Sequence, residues 1–267
     1  MALSVVTEAG TVDPAVYAEY LSRIGDNTLI LGHRVSEWCG HAPALEEDIA
    51  LANQALDLIG QCQLWLGLAG EIEGKGRTAD NLAYLRDAAE FRNLLLVERP
   101  NVDFGVTLMR QFLFDAFHIE LLRALKGSAD QRVAEIAAKA EKEVAYHLER
   151  SADLVIRLGD GSEASRAKMQ KALVSLWPYT GEMFTDDAVD EAVAAAGVGV
   201  LPSTLRAEWE RTVQAVLTEA TLEAPAGETW QHGVRQPGGK RGVHSEHLGY
   251  ILAEMQFLQR AYPGATW

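Results

Sequence analysis

Asp115-Ala116-Phe117-His118 and Glu143-Val144-Ala145-Tyr146-His147 decide how this chain is read. Both stretches lie where helical periodicity asks for hydrophobic core, and both set a carboxylate about one turn before an imidazole. Residues i and i+3 share a helix face, so a carboxylate and a histidine at that spacing can grip one metal ion together. Helical bundles that hold a metal pair use a Glu-x-x-His pair on each of two helices. Here the first pair has the shorter Asp. In the second, Tyr146 takes the i+3 position and His147 follows one residue late. The pattern is that of a dinuclear site with an incomplete ligand set.

Outward from these stretches the chain reads as nearly all helix. Asp13-Pro14 supplies an N-cap and a first-turn proline, opening a helix that runs to about Trp38. After the turn Gly40-His41-Ala42-Pro43, a second helix spans about Ala44 to Gly67. Its apolar residues lie all round, which predicts burial on several sides. Gly70 to Gly76 reads as a glycine-rich loop, and Ala79 to Phe91 as a shorter helix. A third long helix, Phe104 to Leu125, carries the inward stripe Leu108, Phe112, Asp115, His118 and Leu122. Ser128 with Gln131 reads as a capping box for a fourth long helix, about Asp130 to Leu158. Further helices are expected near 163–178, 186–196, 203–221 and 244–260, with a Gly- and Pro-rich loop from Ala224 to Gly242. No strand-like alternation stands out.

Counting along the two long hairpins brings the polar residues together. A turn near Ala42 puts Asp26 level with Asp57, and a turn near Ser128 puts Asp115 level with about Lys142 and Glu143. Polar groups from four long helices then meet at one height, as in a four-helix bundle with a central polar site. The candidates are Asp26, Asp57, Asp115, His118, Glu143 and His147. They have the number and type of groups a carboxylate-bridged di-iron site needs, but not its spacing. The other reading is a buried hydrogen-bonded network, with Lys139 or Lys142 supplying positive charge.

The 267 residues include 38 acidic and 24 basic ones, a net charge of −14. That disfavours non-specific nucleic-acid binding and attraction to anionic membranes, and suits docking to a basic partner. Cys39 and Cys62 sit in apolar helical patterns and read as reduced, buried thiols of a cytoplasmic protein. The N-terminus lacks the basic region of a signal peptide, and no apolar run reaches the ~18 residues of a membrane span. His244-Ser245-Glu246-His247 opens the last helix and reads as an exposed or capping turn. Gly238-Gly239-Lys240-Arg241-Gly242 lacks the spacing of a nucleotide-binding loop. Even so, Lys240 and Arg241 before a helix could hold a phosphate or a partner's carboxylates. Trp38, Trp65, Trp177 and Trp209 read as core. Trp230 and Trp267 stand in loop and tail, where aromatics mark interfaces.

Several blocks together resemble a known family. They are Gly25-Asp26-Asn27, Glu37-Trp38-Cys39-Gly40-His41-Ala42-Pro43, Leu51-Ala52-Asn53, Leu56-Asp57-Leu58, Asn93-Leu94-Leu95-Leu96-Val97-Glu98, Tyr146-His147-Leu148, His244-Ser245-Glu246-His247-Leu248-Gly249 and Leu252-Ala253-Glu254-Met255-Gln256. They look like the structural subunits of bacterial phenylacetyl-CoA 1,2-epoxidase, from about Tyr17 to Trp267. The resemblance implies an all-α, ferritin-like four-helix bundle with additional flanking helices. Residues 1–12 would be a flexible extension and 13–267 a single domain. It implies a homologous di-iron catalytic subunit as partner, a small bridging subunit, and a reductase with flavin and an iron–sulfur centre drawing on NADPH. The complex would epoxidise the ring of phenylacetyl-CoA with O₂. In that family the structural subunit has lost its metal ligands. The resemblance therefore implies no catalytic residue, no metal and no cofactor on this chain, and a vestigial pocket at the six candidates. The remaining alternatives are a self-sufficient di-iron oxidase with an unorthodox site, and a helical binding module unrelated to oxygen chemistry.

Overall fold

The computed structural model describes residues 5–6, 11–225 and 238–265. Trp230, Trp267 and most of the Gly- and Pro-rich loop lie outside the described residues. The chain forms two compact units, residues 1–100 together with 237–267, and residues 101–236.

In the first unit, α1 (Pro14–Ser36) starts where Asp13 Oδ1 accepts the Ala15 amide at 2.7 Å. α2 (Leu45–Glu73) lies antiparallel to it. A Cβ added at Gly25 would stand 2.7 Å from Leu66, and one at Gly32 would stand 3.0 Å from Ile59, so these glycines let the two backbones close up. α2 runs into the stretch expected to be a loop, as far as Glu73, and stops at Gly74, whose φ of 69° is the left-handed C-cap glycine adopts without strain. α3 (Ala79–Tyr84), a 3-10 turn (Ala88–Glu90) and α4 (Leu95–Glu98) follow. The helix expected over 79–91 is thus broken, and α4 was not anticipated. α10 (Glu246–Met255) and α11 (Phe257–Ala261) complete the unit. Two residue pairs, Val5–Val6 and Thr11–Val12, form an antiparallel ladder that the sequence reading missed.

The second unit is built on α5 (Phe104–Leu125) and α6 (Gln131–Gly159), joined by α7 (Glu163–Leu176), α8 (Ala188–Ala195) and α9 (Arg206–Glu219). α5 is buried nearly all round, and Leu108, Phe112, Asp115, His118 and Leu122 all face inward. The buried stripe of α6 runs Val133, Ala137, Ala140, Val144, His147, Ser151 and Val155. The α6 cap is Asp130, which accepts the Arg132 amide at 3.0 Å. Ser128 instead donates to the Val198 carbonyl, so the expected capping box does not form. Trp209 donates its indole N–H to the Leu113 carbonyl at 2.9 Å and packs on Phe184 and Trp177.

The fold class is all-α, of the ferritin-like kind. Its two long antiparallel hairpins, α1–α2 and α5–α6, fall one in each unit, with shorter helices flanking them.

Candidate functional site

The register of each hairpin decides which polar residues meet. Gly25 packs against Leu66 and Trp65, so Asp26 lies near the height of Trp65. Asp57 is about two turns away along α2, ~12 Å at 1.5 Å per residue. α2 begins well beyond the end of α1, so the effective turn lies near Leu45 and not at Ala42. The same displacement occurs in the second unit. Asp115 bonds Ser151, not a residue beside Glu143, and Glu143 sits two turns nearer the hairpin end. Cys39, placed in the non-helical turn, is exposed, while Cys62 is buried as expected.

Asp26 is fully buried and ion-paired with Arg86 in a two-pronged contact; Arg86 Nη1 donates to Oδ2 at 3.0 Å. The Arg92 amide donates to the same carboxylate at 2.9 Å. Next to it, Asn27 Oδ1 accepts the Leu94 amide at 2.7 Å. Gly25-Asp26-Asn27 is therefore a packing device: the glycine admits α2, and the two side chains hold the segment before α4. Positive charge comes from Arg86. Lys139 and Lys142 are exposed.

Asp115 is also fully buried. Gln111 Nε2 donates to Oδ1 at 2.6 Å, and Ser151 Oγ lies 3.0 Å from Oδ2 and 3.3 Å from the Leu148 carbonyl. Burial raises the Asp115 carboxyl to about 8, against the opposing pull of the Gln111 and Ser151 hydrogen bonds and the Arg150 charge. At neutral pH it keeps its proton. It can then donate to Ser151 Oγ, whose own proton continues to Leu148. His118 is buried against Phe114, with ring centroids 5.1 Å apart, and neither ring nitrogen has a hydrogen-bond partner among the described residues. Burial, helped by His147, pushes its pKa down to about 3, so it is neutral. Glu143 is half-buried, and Tyr146 is 61% exposed.

These groups do not suit a metal pair. A ligand carboxylate must give up its proton to the metal, and one already neutralised by a guanidinium offers a metal little charge. Asp115 holds a proton, and the Asp26 oxygens are occupied by Arg86 and Arg92. Among the described residues, no group of three or more His, Cys, Asp or Glu side chains could hold an ion.

Sequence reasoning missed a second buried cluster. Glu98, on α4, takes the Asn93 side-chain amide at 3.0 Å and His244 Nδ1 at 2.5 Å on Oε1. Its Oε2 takes the Ser245 amide at 2.9 Å and the Ser245 hydroxyl at 2.6 Å. The Glu98 carbonyl accepts two bonds from Arg34. His244 is thus a buried anchor for α10, not an exposed helix start. The only sequence signal was that these residues fall inside the quoted blocks; a separation of about 150 positions hides the pairing.

The loop before α10 is less open than expected. Gly239 abuts the Asn93 backbone so closely that no Cβ fits, and Lys240 is buried while Arg241 is exposed. A cavity of about 260 Å³ lies beside Asp26, lined by Glu19, Ser22, Glu73, Arg77, Arg86 and Arg92. Its guanidinium groups already face carboxylates: Arg77 pairs with Glu73, Arg86 with Asp26, and Arg92 reaches Glu19.

The family model described as "Phenylacetic acid catabolic protein" matches residues 7–267. The chain is similar to the C subunit of 1,2-phenylacetyl-CoA epoxidase from Escherichia coli (strain K12). The two are 49% identical over 248 residues, covering 93% of this chain and 98% of that protein. The resemblance read from the sequence blocks is borne out.

Proposed function

This chain belongs to the phenylacetic acid catabolic protein family, and from that premise we propose that it is the non-catalytic structural subunit of a multicomponent phenylacetyl-CoA 1,2-epoxidase. The observation that carries this reading is the near end-to-end match to the C subunit of such an epoxidase. The site chemistry supports the non-catalytic part. In one unit the Asp26 carboxylate is committed to Arg86, and in the other burial favours a protonated Asp115 beside a neutral His118. No step of oxygen chemistry is assigned to this chain.

The partners are a homologous di-iron catalytic subunit, a small bridging subunit, and a reductase that passes electrons from NADPH through flavin and an iron–sulfur centre. One oxygen atom of O₂ enters the ring as the 1,2-epoxide and the other leaves as water. Residues 13–267 act as one ferritin-like domain in a cytoplasmic complex. The chain's contribution is to cover and orient the helices that carry the metal in its partner. Arg241, exposed beside the buried Lys240, contacts an anionic group, either the coenzyme A phosphates or carboxylates of the partner.

Co-expression with the catalytic subunit tests this reading. Expected are a stable heteromer and NADPH-dependent epoxidation of phenylacetyl-CoA that fails when this chain is withheld. Full activity from the other components without it would remove the proposal.

A further inference from the structure

The sequence of α2 asks for burial on every side, yet one face of the helix is open. Leu45, Ile49 and Leu56 are 72, 54 and 69% exposed, and with Ala52 between them they form one apolar stripe. Beyond Leu56 the same face carries Gly60, the exposed Gln63 and Gly67, and at both glycines an added Cβ would meet nothing within 4 Å. Glycine inside a helix costs stability relative to alanine. Elsewhere in this hairpin glycine admits a close neighbour, as at Gly25 and Gly32, but nothing in the free chain requires it at Gly60 or Gly67. A bare apolar ridge that ends in two open glycines is the shape another helix packs against at close range.

The charge of α2 indicates what kind of helix. Along the Leu45–Gly67 stretch the helix carries Glu46, Glu47, Asp48 and Asp57 and no Lys, Arg or His. A second copy would bring the same acidic edge to a chain already at net −14. A partner with basic residues flanking an apolar ridge matches it.

We propose that the Leu45–Gly67 face of α2 is the docking surface for a helix of a different, basic-edged helical subunit. This rests on the reading of the chain as one subunit of the epoxidase, and the occupant is then that enzyme's catalytic subunit. Leu45, Ile49 and Leu56 fill the partner's grooves, and Gly60 and Gly67 set the closest approach.

The test uses the full chain with the co-expressed catalytic subunit and measures the dissociation constant of their complex. The variants are Leu56→Lys and Gly60→Phe, with Val174→Lys, on an exposed position of α7, as control. Both α2 positions are open in the free chain, so the variants should keep the wild-type circular dichroism and melting temperature. Assembly is expected to weaken at least about a hundredfold in each α2 variant and to stay within about twofold in the control. Equal assembly of wild type and α2 variants overturns the docking surface and leaves the functional reading standing. No complex with the wild-type chain overturns both. A homodimer of the wild-type chain that the α2 variants disperse makes the occupant a second copy and overturns the proposal as stated.

Discussion

Asp26 and Arg86 stand 60 residues apart in sequence and meet as a two-pronged, fully buried ion pair. The pair explains how a carboxylate can sit on the apolar face of α1: the guanidinium compensates its charge. The guanidinium also donates to the Glu90 carbonyl and stacks on Phe91, its carbon 4.3 Å from the ring centre. Removing one partner of a buried pair leaves an uncompensated charge. Arg86→Met is expected to cost ~3–5 kcal/mol by chemical denaturation, and the double variant Arg86→Met with Asp26→Leu should recover much of that loss. A single variant within ~0.5 kcal/mol of wild type would show that the pair is not a structural element.

A second expectation concerns pH. Asp115 titrates near 8 in the folded chain and near 4 unfolded, so the folded state holds the extra proton between those values, and the group's effect on stability worsens as pH rises through that window. His118 is the reverse. Its folded value near 3 lies below the ordinary 6.5, so stability is lost as pH falls from about 6.5 toward 3. The two slopes oppose one another from about pH 4 to 6.5, and above that Asp115 acts alone. Asp115→Asn should therefore gain stability relative to wild type between pH 6.5 and 8, by up to a few kcal/mol. The difference between Asp115→Asn and wild type, followed by denaturant titration at each pH, is the measurement. A difference that does not change from pH 5 to 8 would mean Asp115 is ionised throughout.

The Glu98 cluster carries a third expectation. Glu98→Ala strands the Ser245 and Asn93 donors and the His244 ring in a buried place. The cost should be about 2–5 kcal/mol, felt first where α10 is anchored. Hydrogen exchange of the α10 amides is expected to accelerate while that of α5 and α6 holds. Unchanged α10 protection would mean that the contacts do not hold the helix.

Much of this was legible in the sequence, and the reasons for the rest are specific. The span of α5 and the inward stripe from Leu108 to Leu122 followed from periodicity. The Asp13-Pro14 start followed from cap chemistry. The height of the polar residues did not, because it depends on where each turn is centred. α2 and α6 overhang the ends of α1 and α5, which shifts both hairpins by about two turns and separates Asp57 and Glu143 from their supposed neighbours. Arg86, Asn93 and Glu98 are ordinary residues locally, and only tertiary packing gives them their partners. The α2 stripe was visible as excess apolarity, but its meaning depends on which side is left open.

A fourth expectation separates Lys240 from Arg241. Lys240 is buried, so Lys240→Ala should lower the melting temperature. Arg241 is exposed, so Arg241→Ala should cost less than about 1 kcal/mol of stability. Its loss is expected to raise either the KM for phenylacetyl-CoA or the dissociation constant of the complex about tenfold, equivalent to ~1.4 kcal/mol. A salt-sensitive change in assembly identifies partner carboxylates, whereas a change in KM with assembly intact identifies the thioester phosphates. No change in either constant would leave Arg241 as a solvated surface charge.

Iron stoichiometry tests the central claim most directly. The purified chain, loaded anaerobically with ferrous salt and desalted, is expected to hold less than ~0.1 iron per chain, because Asp26 is taken by Arg86 and no three ligating side chains gather among the described residues. The complex with the catalytic subunit should contain only the iron that subunit binds by itself. About two irons per isolated chain, lost in Asp115→Asn, would contradict the structural reading and make this chain a metal-binding subunit in its own right.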